Sequence, residues 1–155
     1  MKTIKLKTKI FPPAVASVFL ILMTALKYAL PQTNISLGYS NTLAITTFLI
    51  GLSLIISANI SFARANTTIN PFKPETATAL VTSGVFAISR NPMYLGLTLI
   101  LFGWGMFLSN IVSFATVIAF IFYIKAFQIK PEEKAMKKLF GEEYLKYKTR
   151  VRRWV

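Results

Sequence analysis

Five carboxylates stand against 18 lysines and arginines in this chain of 155 residues: Glu75, Glu132, Glu133, Glu142 and Glu143. Four of them form two adjacent pairs near the C-terminus, on a background of positive charge. A ligand carrying a cationic group has few other counter-charges to choose from. Histidine and cysteine are both absent. Their absence removes the commonest general base, thiol nucleophiles, disulfides and zinc–thiolate centres, and no metal site is expected. A second polar group of residues is Arg90-Asn91-Pro92-Met93-Tyr94. Asn91 suits a helix N-cap and Pro92 the first helical position. The free backbone N–H groups of such a start favour an anion, for example a carboxylate. Taken alone, Asn91-Pro92 need do no more than begin a helix.

The elements that hold these groups are strongly apolar. The chain is 54% hydrophobic with a mean hydropathy of +0.56, yet carries a formal net charge of +13. A small soluble core cannot hide that much apolar side chain. The two facts agree if apolar faces meet lipid and the charges sit at the membrane rim. The expected fold is therefore an all-α integral membrane domain over 1–155 with four transmembrane helices. The spans fall at about 11–30, 43–62, 93–108 and 111–127, since roughly 20 apolar residues cross a bilayer. The third and fourth make a tight hairpin around Ser109-Asn110. The run 11–30 is too long for a signal-peptide core and reads as a retained span.

Charge supports this topology. Every basic residue except Lys27 falls in the N-terminal arm, the middle loop or the C-terminal tail, all on one predicted side. The opposite loops carry none. Both termini and the middle loop are thus expected in the cytoplasm, in the plasma membrane of a prokaryote, with anionic lipids rather than nucleic acid as the charged partner. Ser53, Ser57 and Ser61, four residues apart, and Gly96 and Gly103, a heptad apart, permit close helix packing. In the tail, Pro131-Glu132-Glu133 is expected to open a helix with its acids in the favourable first turn. Gly141 suits a cap. Tyr144, Tyr147, Val151 and Trp154 would share one face of a second helix. That face admits a simple reading too, an amphipathic helix lying on the membrane.

Two cytoplasmic segments, 67–94 and 130–154, carry a resemblance. Leu80-Val81-Thr82-Ser83-Gly84-Val85-Phe86 continues to Arg90-Asn91-Pro92-Met93-Tyr94-Leu95-Gly96. The tail offers Glu132-Glu133, Phe140-Gly141, Tyr144, Tyr147 and Arg150-Val151-Arg152-Arg153-Trp154, and upstream stands Thr67-Thr68-Ile69-Asn70-Pro71. In this order, around this hairpin, the set resembles the isoprenylcysteine carboxyl methyltransferase and phospholipid methyltransferase group of membrane enzymes. The first half of the chain contains no matching motif.

The resemblance implies an S-adenosylmethionine-dependent methyltransferase whose acceptor is a lipid-like or hydrophobic small molecule drawn from the membrane. It implies a cofactor pocket lined by Gly84, Asn91, Pro92 and Tyr94 and closed by Glu132, Glu133, Tyr144 and Tyr147. Glu132 or Glu133 would position the cofactor, and Arg150 or Arg90 would hold an anionic group; Glu133, Arg150 and Arg90 are the expected catalytic set. A carboxylate acceptor, such as a prenylcysteine-like acid, is already ionised and needs no base. A phospholipid amine or a small thiol would need one, from Glu, Tyr or solvent. Two other classes are less well served. A four-span cation exporter needs an intramembrane acid, and no span has one. A non-catalytic anchor leaves the ordered glycine, proline and paired-glutamate signatures unexplained; an inactive relative is the alternative that Ala87 and Arg152, which depart from the pattern, keep open.

Overall fold

The computed structural model describes residues 10–36, 41–67 and 76–155. The arm bearing Lys2, Lys5, Lys7 and Lys9, and the stretch 68–75 with Asn70-Pro71, Lys73, Pro74 and Glu75, lie outside the described residues. All regular elements among the described residues are helical. Helix α1 (Pro12–Ala29) opens on two prolines, whose missing N–H groups cost nothing in a first turn, and stops just before Pro31. Helix α2 spans Asn41–Arg64, α3 Pro92–Leu108, α4 Ile111–Ile124 and α5 Lys130–Arg150. Short 3₁₀ turns lie at Pro31–Thr33 and Gly84–Ala87.

Among the described residues, three stretches are long and apolar enough to cross a membrane: α1, α2, and the continuous helical rod that begins at Ile111. Helix α3 is equally apolar but has 17 residues. It is the inner helix, with Leu97, Leu101, Met106 and Leu108 buried. Its neighbours turn large apolar side chains outward, among them Ile21 of α1, Leu49 and Ile56 of α2, and Ile118 and Phe122 of α4. An apolar belt of that kind suits lipid rather than water. Inside, Met23, Leu101, Phe120 and Ile124 are fully buried, and Phe19 meets Phe120 edge to face at 5.4 Å.

The closest helix pair is α2 with α3, and glycine explains it. A Cβ added to Gly51 would stand 2.6 Å from the Gly96 carbonyl, and one added to Gly96 would stand 2.5 Å from the Gly51 carbonyl. Gly103 approaches the Ala44 carbonyl in the same way. Ala44, Gly51 and Ala58, a heptad apart, are the buried residues of α2. The serine ladder does not serve this contact: Ser53 is exposed and bonds back to Ile50 of its own helix. Gly96→Val should therefore force the backbones apart and lower stability by about 1–3 kcal/mol, read by thermal unfolding in detergent. A variant as stable as the parent would show that the pair has slack.

Hydrogen bonds fix which helix ends meet. At one end Asn110, fully buried, donates from Nδ2 to Thr33 Oγ1 (2.7 Å) and Asn34 Oδ1 (2.8 Å) and accepts from the Ser113 backbone N–H. The hairpin turn at Ser109 takes a left-handed backbone, φ 50°. At the other end Gln128 Nε2 donates to the Ile10 carbonyl (2.7 Å), and the Arg90 N–H donates to the Arg152 carbonyl (3.0 Å).

Two expectations for the tail change. Helix α5 does not start afresh at Pro131: α4 runs into it through a π-helical turn, Lys125–Ile129, with helical backbone on both sides. Glu132 and Glu133 therefore stand near no free helix end, because the preceding carbonyls already serve the N–H groups there. Second, the helix ends at Arg150 and Val151 is extended (φ −119°, ψ 130°), so Trp154 does not share a helical face with Tyr144. Tyr144, Tyr147 and Val151 are buried against Leu80, Met136 and Phe140, so this face packs on protein, not on a membrane surface. Gly141 interrupts the helix with φ 46° and ψ −120°.

Candidate active site

Where the ends of α1, α2 and α3 meet the tail, a cavity of about 480 Å³ opens. Its walls are mostly apolar, with a few polar groups gathered on one side: Arg90, Asn91, Tyr94, Glu132, Glu133 and Tyr144. Size and lining are those of a small-molecule site.

The two acids of the first pair have opposite surroundings. Glu133 lies between two arginines. Arg153 grips it through Nε (2.9 Å) and Nη2 (2.7 Å), and Arg90 Nη1 stands at 3.3 Å. Burial alone would raise its pKa, but the Arg153 hydrogen bonds and the charges of Arg153 and Arg90 outweigh it and hold the carboxyl below the usual range. Among the described residues Glu132 has no cation beside it. Its one hydrogen bond comes from the Tyr94 hydroxyl. Burial pushes its pKa up to about 7, the hydrogen bond lowers it and the Glu133 charge adds to the rise. One acid is thus committed to structure, and the other is left to titrate near neutrality.

Arg90 is deeply buried, with 7% of its side chain exposed. Besides Glu133 it donates from Nη1 to the Tyr144 hydroxyl at 3.2 Å, while its Nε is buried with no partner among the described residues. Asn91 occupies the N-cap position of α3 but does not cap it: its Nδ2 donates instead to the Arg153 carbonyl at 2.9 Å. It thereby ties the tail to the helix start. Ser89, almost completely buried, accepts from the Asn91 N–H. Tyr147 donates to the Phe86 carbonyl at 2.6 Å and pins the tail to the 3₁₀ turn. Phe86 in turn packs edge to face on Phe62 of α2 at 5.0 Å.

Of the residues expected from sequence, Arg90, Asn91, Pro92, Tyr94, Glu132, Glu133, Tyr144 and Tyr147 all line the cavity. Two do not. Gly84 sits behind the wall, at φ 62° and with its Cα face against Ser61 of α2, so it shapes the turn. Arg150 is exposed on the last turn of α5, away from the cavity. The tail arginine that reaches Glu133 is Arg153, three residues later, after the chain has left the helix. Periodicity carried past Arg150 could not find it.

A family model described as "Phospholipid methyltransferase" matches residues 39–143. The chain belongs to that family. The match takes in α2, α3, α4 and the tail through both members of each glutamate pair. Among curated relatives, Protein-S-isoprenylcysteine O-methyltransferase B of Arabidopsis thaliana is 31% identical over 107 residues, covering 69% of this chain and 54% of the relative. The Saccharomyces cerevisiae Protein-S-isoprenylcysteine O-methyltransferase is 37% identical over 82 residues, covering 51% of this chain and 33% of its own. An uncharacterised Haemophilus influenzae protein is 48% identical over 63 residues, its whole length and 41% of this chain. The chain thus spans about half or less of the two named methyltransferases it matches. No solved structure matches it. With its apolar helices, the chain is an integral membrane protein of a methyltransferase family.

Proposed function

We propose that this chain is an S-adenosylmethionine-dependent methyltransferase acting on a hydrophobic acceptor dissolved in the membrane, with the cavity beside Arg90 and Glu132 as its active site. The observation that carries the reading is the pairing, in one apolar cavity, of a buried arginine whose Nε has no partner among the described residues and a carboxylate with no cation beside it among them. The cofactor is a zwitterion bearing an extra cation, and its carboxylate, ammonium, ribose diol and adenine need that mixture. Arg90 Nε and the uncapped start of α3 suit the carboxylate. Glu132 suits the ammonium or the diol, and Leu80, Val81 and Met136 offer the adenine an apolar wall. When bound, the cofactor supplies a sulfonium methyl group open to in-line attack by a nucleophile. The chain's own part is to orient donor and acceptor and keep water away from them.

Four crossings follow from this reading, with α3 sheltered between the others. The end that bears Arg64, Arg90 and the tail, where the cavity lies, faces the cytoplasm together with both termini. The acceptor enters sideways, between the start of α1 (Phe11, Pro12, Pro13) and the end of α2 (Ile55, Phe62), which supply the apolar part of the lining. A carboxylate acceptor needs no base there, and the names of the plant and yeast relatives favour one. A phospholipid amine is the second reading: Glu132, titrating near neutrality, is placed to take its proton.

The test is calorimetric binding of S-adenosylmethionine to detergent-purified protein, with Arg90→Leu as control. Micromolar-range binding by the parent, weakened about tenfold or more in the variant, is expected. No binding by folded parent protein would end the reading.

A further inference from the structure

The cavity's polar groups come almost entirely from the segment before α3 and from the tail. One does not. Asn59, on α2, is the single polar side chain that α1 and α2 contribute to the lining, among Phe11, Ile55 and Phe62. Its Nδ2 donates to the Ile55 carbonyl at 2.9 Å, which fixes the orientation of the amide. The Oδ1 has no partner among the described residues. An amide oxygen open on an otherwise apolar wall is free to accept a hydrogen bond from whatever fills the cavity.

The α2–α3 register places this oxygen. Gly51 faces Gly96 and Ala44 faces Gly103, so the helices are antiparallel, and the Ile55 side chain reaches back to Gly96. Helical side chains lean toward their N-terminus. Asn59, one turn further along, therefore stands level with Pro92, at the mouth of the polar side of the cavity.

We propose that Asn59 is a specificity residue for the acceptor, and that its Oδ1 accepts a hydrogen bond from an N–H group borne on or next to the methyl-accepting atom. This rests on the methyltransferase reading above. A neutral amide oxygen attracts N–H and repels the oxygen of a bare carboxylate or phosphate. The acceptor is thus an amphiphile with a hydrocarbon tail in the cleft and a head bearing either an amide N–H beside a carboxylate or an ammonium N–H.

Two probe pairs contrast that hydrogen-bond donor with its N-methylated replacement. For the acid, N-acetyl-S-prenylcysteine is compared with its N-methylated counterpart. For the amine, phosphatidylethanolamine is compared with phosphatidylcholine. Binding of each is measured with the parent protein and with Asn59→Leu, which keeps the branched outline of the side chain and removes the amide. In one pair the parent should prefer the N–H-bearing probe by about tenfold or more, and Asn59→Leu should erase that preference through the N–H-bearing member alone. The responsive pair identifies the acceptor class. Equal weakening of both members would make Asn59 merely structural, and a parent that discriminates in neither pair would overturn the proposal. S-adenosylmethionine affinity, measured alongside, should be unchanged in Asn59→Leu. If the parent binds none, the methyltransferase reading fails on its own, whatever the probe pairs report.

Discussion

Replacing Glu133 by alanine is expected to release the tail from the helices. Two guanidinium groups converge on this carboxylate, and the Arg90 side chain is 7% exposed. Without Glu133, Arg90 keeps its charge but has no counter-ion in a poorly hydrated site. Removing one partner of a buried pair costs about 3–5 kcal/mol, more than any single surface contact in the tail can offset. The Arg153 side chain loses its anchor at the same time. Trp154, next in sequence and packed against the helical core, reports the event. Glu133→Ala should show a lower unfolding temperature in detergent, a more readily quenched tryptophan signal and loss of cofactor binding. Acidification should act in the same direction. Because the folded-state pKa of Glu133 is depressed, its contribution stands above the ordinary carboxylate range and is lost as pH falls through the folded value. An unchanged melting temperature and unchanged quenching would show that other contacts hold the tail.

Glu132 predicts the reverse. Burial lifts its pKa to about 7, so the folded protein prefers it protonated, and the stability it contributes is lost as pH rises through that value. A cationic ligand group prefers it ionised. S-adenosylmethionine should therefore bind more tightly as pH rises from about 6 to about 8, levelling off once the carboxylate is ionised. Glu132→Gln should flatten this profile and weaken binding about tenfold to a hundredfold, the worth of a charge-assisted hydrogen bond. The same variant should melt no lower than the parent at the alkaline end, since it removes the cost of a buried charge. A Glu132→Gln protein with the parent's pH slope would remove Glu132 from the ligand's contacts. Tyr94→Phe separates the two roles: it takes away the one hydrogen bond of Glu132 and leaves the carboxylate in place.

Much of the fold was legible because lipid imposes a blunt rule. Apolar runs of sufficient length become helices, and α1, α2 and α3 begin and end within about two residues of where hydropathy and proline placed them. The break at Ser109-Asn110 was readable for the same reason. The helix partnership was legible in part. The heptad Ala44, Gly51 and Ala58 stood in the sequence beside the serine ladder, and only the backbone approach shows that the glycines make the contact. Pro131-Glu132-Glu133 looks the same whether a helix starts there or continues out of a wide turn, so the continuity of α4 with α5 was hidden. Most cavity residues were reachable through resemblance. Arg153 stood in the resembling tail, but its grip on Glu133 was not legible, because its place depends on the chain leaving the helix at Val151 and folding back toward residues some sixty positions away. The contrast between Glu132 and Glu133 was equally invisible, since adjacent glutamates differ only in what surrounds them.

The π-helical turn at Lys125–Ile129 makes the count of residues between α4 and the glutamates a heritable quantity in its own right. Loss of one residue there would restore a regular helix and swing everything beyond it by about 100°. Glu132 would turn from Tyr94, and Glu133 from its arginines, with every side chain of the site still present. Among descendants of this chain, a substitution at exposed Phe127 is tolerable and single-residue insertions or deletions in the turn are not. The site is inherited as a phase as much as a set of residues.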